Sequence, residues 1–185
     1  MSLAADDVDI LHPLSLFCRQ DGRVLPAFST IEGEAMPEPY RSLLVHRGDM
    51  TSRLENFHGS PLDLRVLHCA EDPDAYWREV LLCKRSDHLP VEYGAIEIHL
   101  AAFEPALREL ILAGREPLGG LLNRHQVRYR SEPRAFLRLA PETEMNALFY
   151  TEPNHELFGR SNTLLGEHGE ILARIVEVLR PLSPA

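Results

Sequence analysis

The residues best placed for chemistry in this chain are a charged pair on two strand-like stretches, Arg78 in YWREVLLC and Glu177 in ILARIVEVLRP. Alternation along a strand puts every second side chain on one face. Arg78 then shares a face with Val80 and Leu82, and Glu177 shares one with Ala173, Ile175 and Leu179. An ionised carboxylate grouped with apolar residues is costly unless it is paired or protonated. A structural salt bridge, or two edge-strand charges at the solvent, would account for the pattern, with Glu79 as a rival partner for Arg78. The functional reading is a closed pocket in which Arg78 holds a ligand carboxylate bidentately while Glu177 contacts a hydroxyl. Such a pocket supports a cofactor-free elimination by positioning and selective charge stabilisation.

The signatures of other chemistries are missing from the sequence. There is no P-loop, no GxGxxG and no GxSxG elbow. GREPLGG is glycine-rich, but a helix-turn-helix corner explains it better than phosphate binding. Nine histidines form neither HExxH nor HxH, and Cys18, Cys69 and Cys83 are widely spaced without a CxxC, so no metal and no cofactor are expected. The cysteines read as buried thiols in a reducing compartment. A net charge of −9 argues against nucleic acid as a partner, which needs clustered Lys and Arg, yet leaves room for a small anion held by one or two cations. No stretch approaches the ~20 apolar residues of a membrane span, and the acidic N-terminus lacks a signal-peptide pattern. A cytoplasmic location and no membrane partner are expected.

The elements that must position the pair follow from periodicity. At 185 residues the chain is expected to be one domain, with an irregular segment over 1–40 and a core over 41–181. LHPLSLFCRQ reads as a short helix and RSLLVH (41–46) as a strand. DMTSRLENFHG offers Asp49 as N-cap, Met50, Leu54 and Phe57 on one helical side, and Gly59 as the stop. Strands are predicted over 62–69, 76–83 and 91–100. FEPALRELILAG is the clearest helix, EPLGGLLNRH a shorter one. QVRYRSEPRAFLRL, LFGRSNTLL and EILARIVEVLRP complete the strands, with GEHGE as a hairpin turn. Short connections between strands point to an antiparallel sheet and an α+β fold.

Five pieces in order resemble the chorismate pyruvate-lyase (4-hydroxybenzoate synthase) family over residues 41–181. They are DMTSRLE, Arg78-Glu79 with Leu81-Leu82-Cys83, Pro117-Leu118-Gly119, Phe158-Gly159-Arg160, and Glu177 with Pro181. Gly94-Ala95-Ile96 departs from the Gly-Arg-Thr of the best-known bacterial members, and PVEYGAIEIHL looks like an archaeal and actinobacterial branch. The resemblance implies an antiparallel sheet of about six strands with helical flaps over a buried ligand. It implies that Arg78 binds the ring carboxylate, that Glu177 contacts the hydroxyl end, and that Met50, Leu118 and Gly119 line the site. It further implies a lyase, with Glu177 and Arg78 as catalytic residues, releasing pyruvate from chorismate without a cofactor to give 4-hydroxybenzoate. A monomer or weak dimer is expected.

Two rivals remain: a same-fold enzyme for another carboxylated cyclic metabolite, and a non-catalytic small-molecule-binding domain. The second form serves in some transcription regulators, normally after a winged-helix domain. The ~40 residues before the sheet are expected to be too few and too acidic for one.

Overall fold

The computed structural model describes residues 9–182. Seven antiparallel strands form one sheet in the order β1-β5-β6-β7-β4-β3-β2, one more than the resemblance implied. They are β1 Phe28–Ile31, β2 Leu62–Glu71, β3 Ala75–Lys84, β4 Pro90–His99, β5 Tyr129–Leu139, β6 Leu157–Gly166 and β7 Ile171–Leu179. The helices are α1 Leu14–Asp21, α2 Tyr40–Leu44, α3 Met50–His58, α4 Pro105–Leu112, α5 Leu118–Arg124 and α6 Thr143–Leu148. The fold is α+β and chorismate-lyase-like. Among the described residues no helix is long and apolar enough to cross a membrane.

The helices lie on both faces of the sheet. On one, α1 and α6 bury Leu14, Phe17, Cys18 and Met145 against Leu81, Tyr93, Ala95, Val176 and Val178. The other face carries two separate apolar clusters. Leu107 and Ile111 of α4, with Leu118, Leu121 and Leu122 of α5, pack on Tyr76, Ile96, Ile98 and Ala173. Tyr40, Leu43 and Leu44 of α2, with Met50 and Leu54 of α3, pack on Leu62, Leu82 and Leu179. Between these clusters the same sheet face carries polar side chains.

Two expectations need correcting. The 41–46 strand is helical: Tyr40, Leu43 and Leu44 bury one side at the i, i+3, i+4 spacing, and the Glu38 side chain accepts from Arg41 Nε, Ser42 N and Ser42 Oγ in the first turn. An apolar run this short has no period of its own to separate strand from helix. The 1–40 segment is not uniformly irregular either, because α1 enters the core and β1 pairs with β5 from Phe28↔Leu139 to Ile31↔Phe136. By contrast, α3 starts and stops where its sequence places the signals. Asp49 accepts from Thr51 N and Ser52 N, and Gly59 closes the helix at φ 60°.

Candidate ligand-binding site

Register alone brings the site together. β7 lies between β4 and β6, so Glu177 is central in the sheet rather than at an edge. It stands opposite Gly94 on β4 and Arg160 on β6. On the same face, Arg78 of β3 is opposite Ile96, and Leu82 is opposite Glu92. The polar gap between the apolar clusters thus holds Arg78, Glu92, Glu177, Arg160 and Asn162, each at most 5% exposed.

Two adjoining cavities occupy the gap under α3 and α5. The first is lined by Arg78, Glu92 and Glu177 at its polar points, with Val80, Gly94, Ile175 and Leu118 among its walls. The second holds Met50, Tyr129, Arg160 and Asn162. Thr51, Leu118, Gly119, Ile175 and Glu177 line both. Arg78, Glu177, Met50, Leu118 and Gly119, named from sequence, all line one or both cavities.

The ion pairing differs from the sequence reading. Glu177 pairs with Arg160, whose Nε donates to Glu177 Oε2. Arg160 Nη1 also donates to the carbonyls of Leu44 at 3.2 Å and His46 at 3.1 Å. Burial and this guanidinium together bring the neighbouring His46 down to about 4, so its ring is neutral near pH 7. Glu79 is no partner for Arg78, because it faces the opposite side of the sheet. There it receives Arg23 Nη2 at 2.8 Å on both oxygens, the Tyr93 hydroxyl, and His68 Nδ1 at 2.9 Å. Asp21, His68 and Glu79 place ligand-type atoms within 4.8 Å of one another, but the Arg23 guanidinium already holds both Glu79 oxygens. That cluster is an ion-pair network rather than a cation site.

Arg78 is left without a carboxylate. It is 1% exposed, its Nε and Nη1 have no hydrogen-bond partner, and Nη2 makes one long contact of 3.4 Å to Glu116 O. The guanidinium lies 5.9 Å from the centre of the Tyr76 ring. Burial pushes its pKa down from the ordinary arginine value. The unpartnered N–H donors of this buried guanidinium lie on a cavity wall, and with Nη2 held by only one long contact the group suits an anionic oxygen ligand such as a carboxylate.

Sequence reasoning did not assign Glu92, Arg160 or Asn162 to the site. Strand parity could have found the first, since Glu92 is two positions from Gly94 on the face of Ile96 and Ile98. Placing Arg160 opposite Glu177 requires the β6–β7 register, which the hairpin turn at GEHGE sets, with Gly166 N bonded to Glu170 O at 2.8 Å.

No family model matches the chain, and no curated protein does. Solved structures do. PhnF from Mycobacterium smegmatis aligns with a TM-score of 0.57 at 12% identity, covering 90% of this chain and 93% of that one. The effector domain of the same PhnF gives 0.54 at 13% identity, covering 75% and 96%. YydK from Bacillus subtilis, described as a possible transcriptional regulator, gives 0.50 at 7% identity, covering 71% and 64%. These likenesses show the fold. They also correct the lyase expectation: the structures that share this architecture are described as an effector domain and a possible transcriptional regulator, so the fold does not carry the lyase activity that the resemblance implied.

Proposed function

We propose that this chain is a non-catalytic receptor for a small organic acid, held by its carboxylate on Arg78 in the cavity beneath α3 and α5. The observation that supports this reading is the buried Arg78 guanidinium, with Nε and Nη1 unpartnered on the cavity wall. A buried charge without a partner is expensive to keep, and an incoming anion removes the expense. The other guanidinium of the site, Arg160, is already committed to Glu177 and two carbonyls. Among the described residues of the site one free cation remains, which favours a monoanionic carboxylate over a phosphate dianion.

The reading is tested by isothermal titration calorimetry with cyclohexanecarboxylate and cyclohexyl phosphate. Carboxylate binding to the wild type that weakens about 100-fold or more in Arg78→Met, about 3 kcal/mol for a charge-assisted pair, supports it. Equal affinity of the variant, or binding of the phosphate alone, overturns it.

A further inference from the structure

We propose that Glu92 reads the far end of that acid: its carboxyl donates a hydrogen bond to a hydroxyl or carbonyl oxygen, so the receptor selects acids bearing such an oxygen opposite the carboxylate. This rests on the acid-receptor reading and adds to it the ligand's second functional group.

The geometry of the floor carries the inference. Glu92 lines the same cavity as Arg78, is 5% exposed, and its Oε2 is buried without a partner. Arg78 stands in the row of Ile96, and Glu92 lies four residues further along β4. Four residues of strand span about 13 Å, and two long side chains leaning inward leave room for one six-membered ring. Gly94 sits between them. A Cβ there would lie 3.2 Å from Val80 Cγ2 and 3.7 Å from Glu92 Oε1, so the glycine keeps the floor open from the guanidinium to the carboxyl.

The surroundings set which state of Glu92 meets the ligand. The charged groups facing it are Glu177, Arg160 and Asp49. Glu177 takes Arg160, and Asp49 caps α3, so none of these three groups gives a second buried carboxylate a cation of its own. Burial first, and then the neighbouring Glu177, raise the Glu92 carboxyl well above its ordinary range. A protonated carboxyl carries one donor, and the walls of Val80, Leu82, Ile96 and Ile175 give that donor no acceptor, while the neighbouring Glu177 carboxylate is held by Arg160. A ligand oxygen does.

Three probes that differ only opposite the acid test this by calorimetry at pH 7: cyclohexanecarboxylate, trans-4-hydroxycyclohexanecarboxylate and trans-4-aminocyclohexanecarboxylate. The wild type is expected to prefer the hydroxy acid over the unsubstituted acid by about tenfold, the worth of one buried hydrogen bond. Glu92→Gln, whose amide still donates, keeps that preference. Glu92→Leu brings the ratio to about one while still binding the plain acid, which shows that the variant is folded. An unchanged ratio in Glu92→Leu overturns the inference, as does tightest binding of the amino acid. If no probe binds the wild type, or Arg78→Met binds all three as the wild type does, it is the acid-receptor reading that fails, and this inference with it.

Discussion

Glu177 faces Arg160 across the β6–β7 pair, and the two are joined by a buried ion pair, both at most 5% exposed. This is what permits a carboxylate in the middle of the central strand. The pair needs both members. Removing Glu177 leaves Arg160 charged in the interior with the Leu44 and His46 carbonyls as its hydrogen-bond acceptors. Glu177→Ala is therefore expected to lose on the order of 3–5 kcal/mol of unfolding free energy. Urea denaturation checks it, and a loss below about 1 kcal/mol would show that the pair is dispensable.

Arg78 should respond in the opposite sense. Its guanidinium is as buried as that of Arg160 but has no carboxylate partner, so the apo protein bears an uncompensated charge. Arg78→Met, which keeps the length of the side chain, is expected to raise unfolding free energy by about 1–3 kcal/mol while removing acid binding. Breaking the Arg160–Glu177 pair and deleting Arg78 are thus expected to have opposite effects on stability. Thermal unfolding of the variant without added acid is the direct measurement, and a lowered Tm would mean that Arg78 is structural.

How much of this was legible in the sequence follows from what kind of signal each part leaves. Parity assigned Arg78 and Glu177 to faces, and the Asp49 and Gly59 signals bounded α3, because these are local properties of a few residues. The partner of Glu177 is not local. Arg160 becomes its neighbour through a strand register set by the turn between Gly166 and Glu170. β1 was missed because FSTI is short and mostly exposed, with no alternation to read. α6 escaped because its N-terminus is capped by Glu142, which accepts from Glu144 N and Met145 N, where Ser, Thr, Asp or Asn would have marked it. Function was the least legible. The resemblance carried the sheet and cavity, but one pocket architecture serves a lyase and a receptor alike.

Glu92 links the site to pH. Its carboxyl is raised above the ordinary 4.5 by burial and by Glu177, so the folded chain binds this proton more tightly than the unfolded one. Stability from this group is therefore intact below about pH 4.5 and is lost as pH rises toward the elevated folded value. Glu92→Gln removes the titration and should be more stable than the wild type, with a Tm advantage that grows from pH 4.5 to pH 8. Taking the difference between the two proteins cancels His46 and Glu97, whose titrations they share. A difference that is flat with pH, or that shrinks, would contradict the assignment of a proton to Glu92.

The roof of the cavities supplies a matched pair of glycines. A Cβ on Gly119 would collide with Asp49 Oδ1 and lie 3.3 Å from Thr51 Oγ1. Asp49 cannot easily yield, because it caps α3 through Thr51 N at 3.2 Å and Ser52 N at 3.0 Å and also receives Asn123 Nδ2 at 3.1 Å. Gly120 has nothing within 4 Å of its corresponding position. Gly119→Ala should force α5 away from α3, cost about 1–3 kcal/mol as an overpacked contact, and weaken acid binding by tenfold or more. Gly120→Ala should be neutral or stabilising by about 0.5–1 kcal/mol, since alanine favours the helix. Calorimetry with cyclohexanecarboxylate and thermal unfolding of both variants separate the two. Equal behaviour would mean that the closeness of α5 to α3 does not set the affinity of the site, and that the acid is held by the sheet face alone.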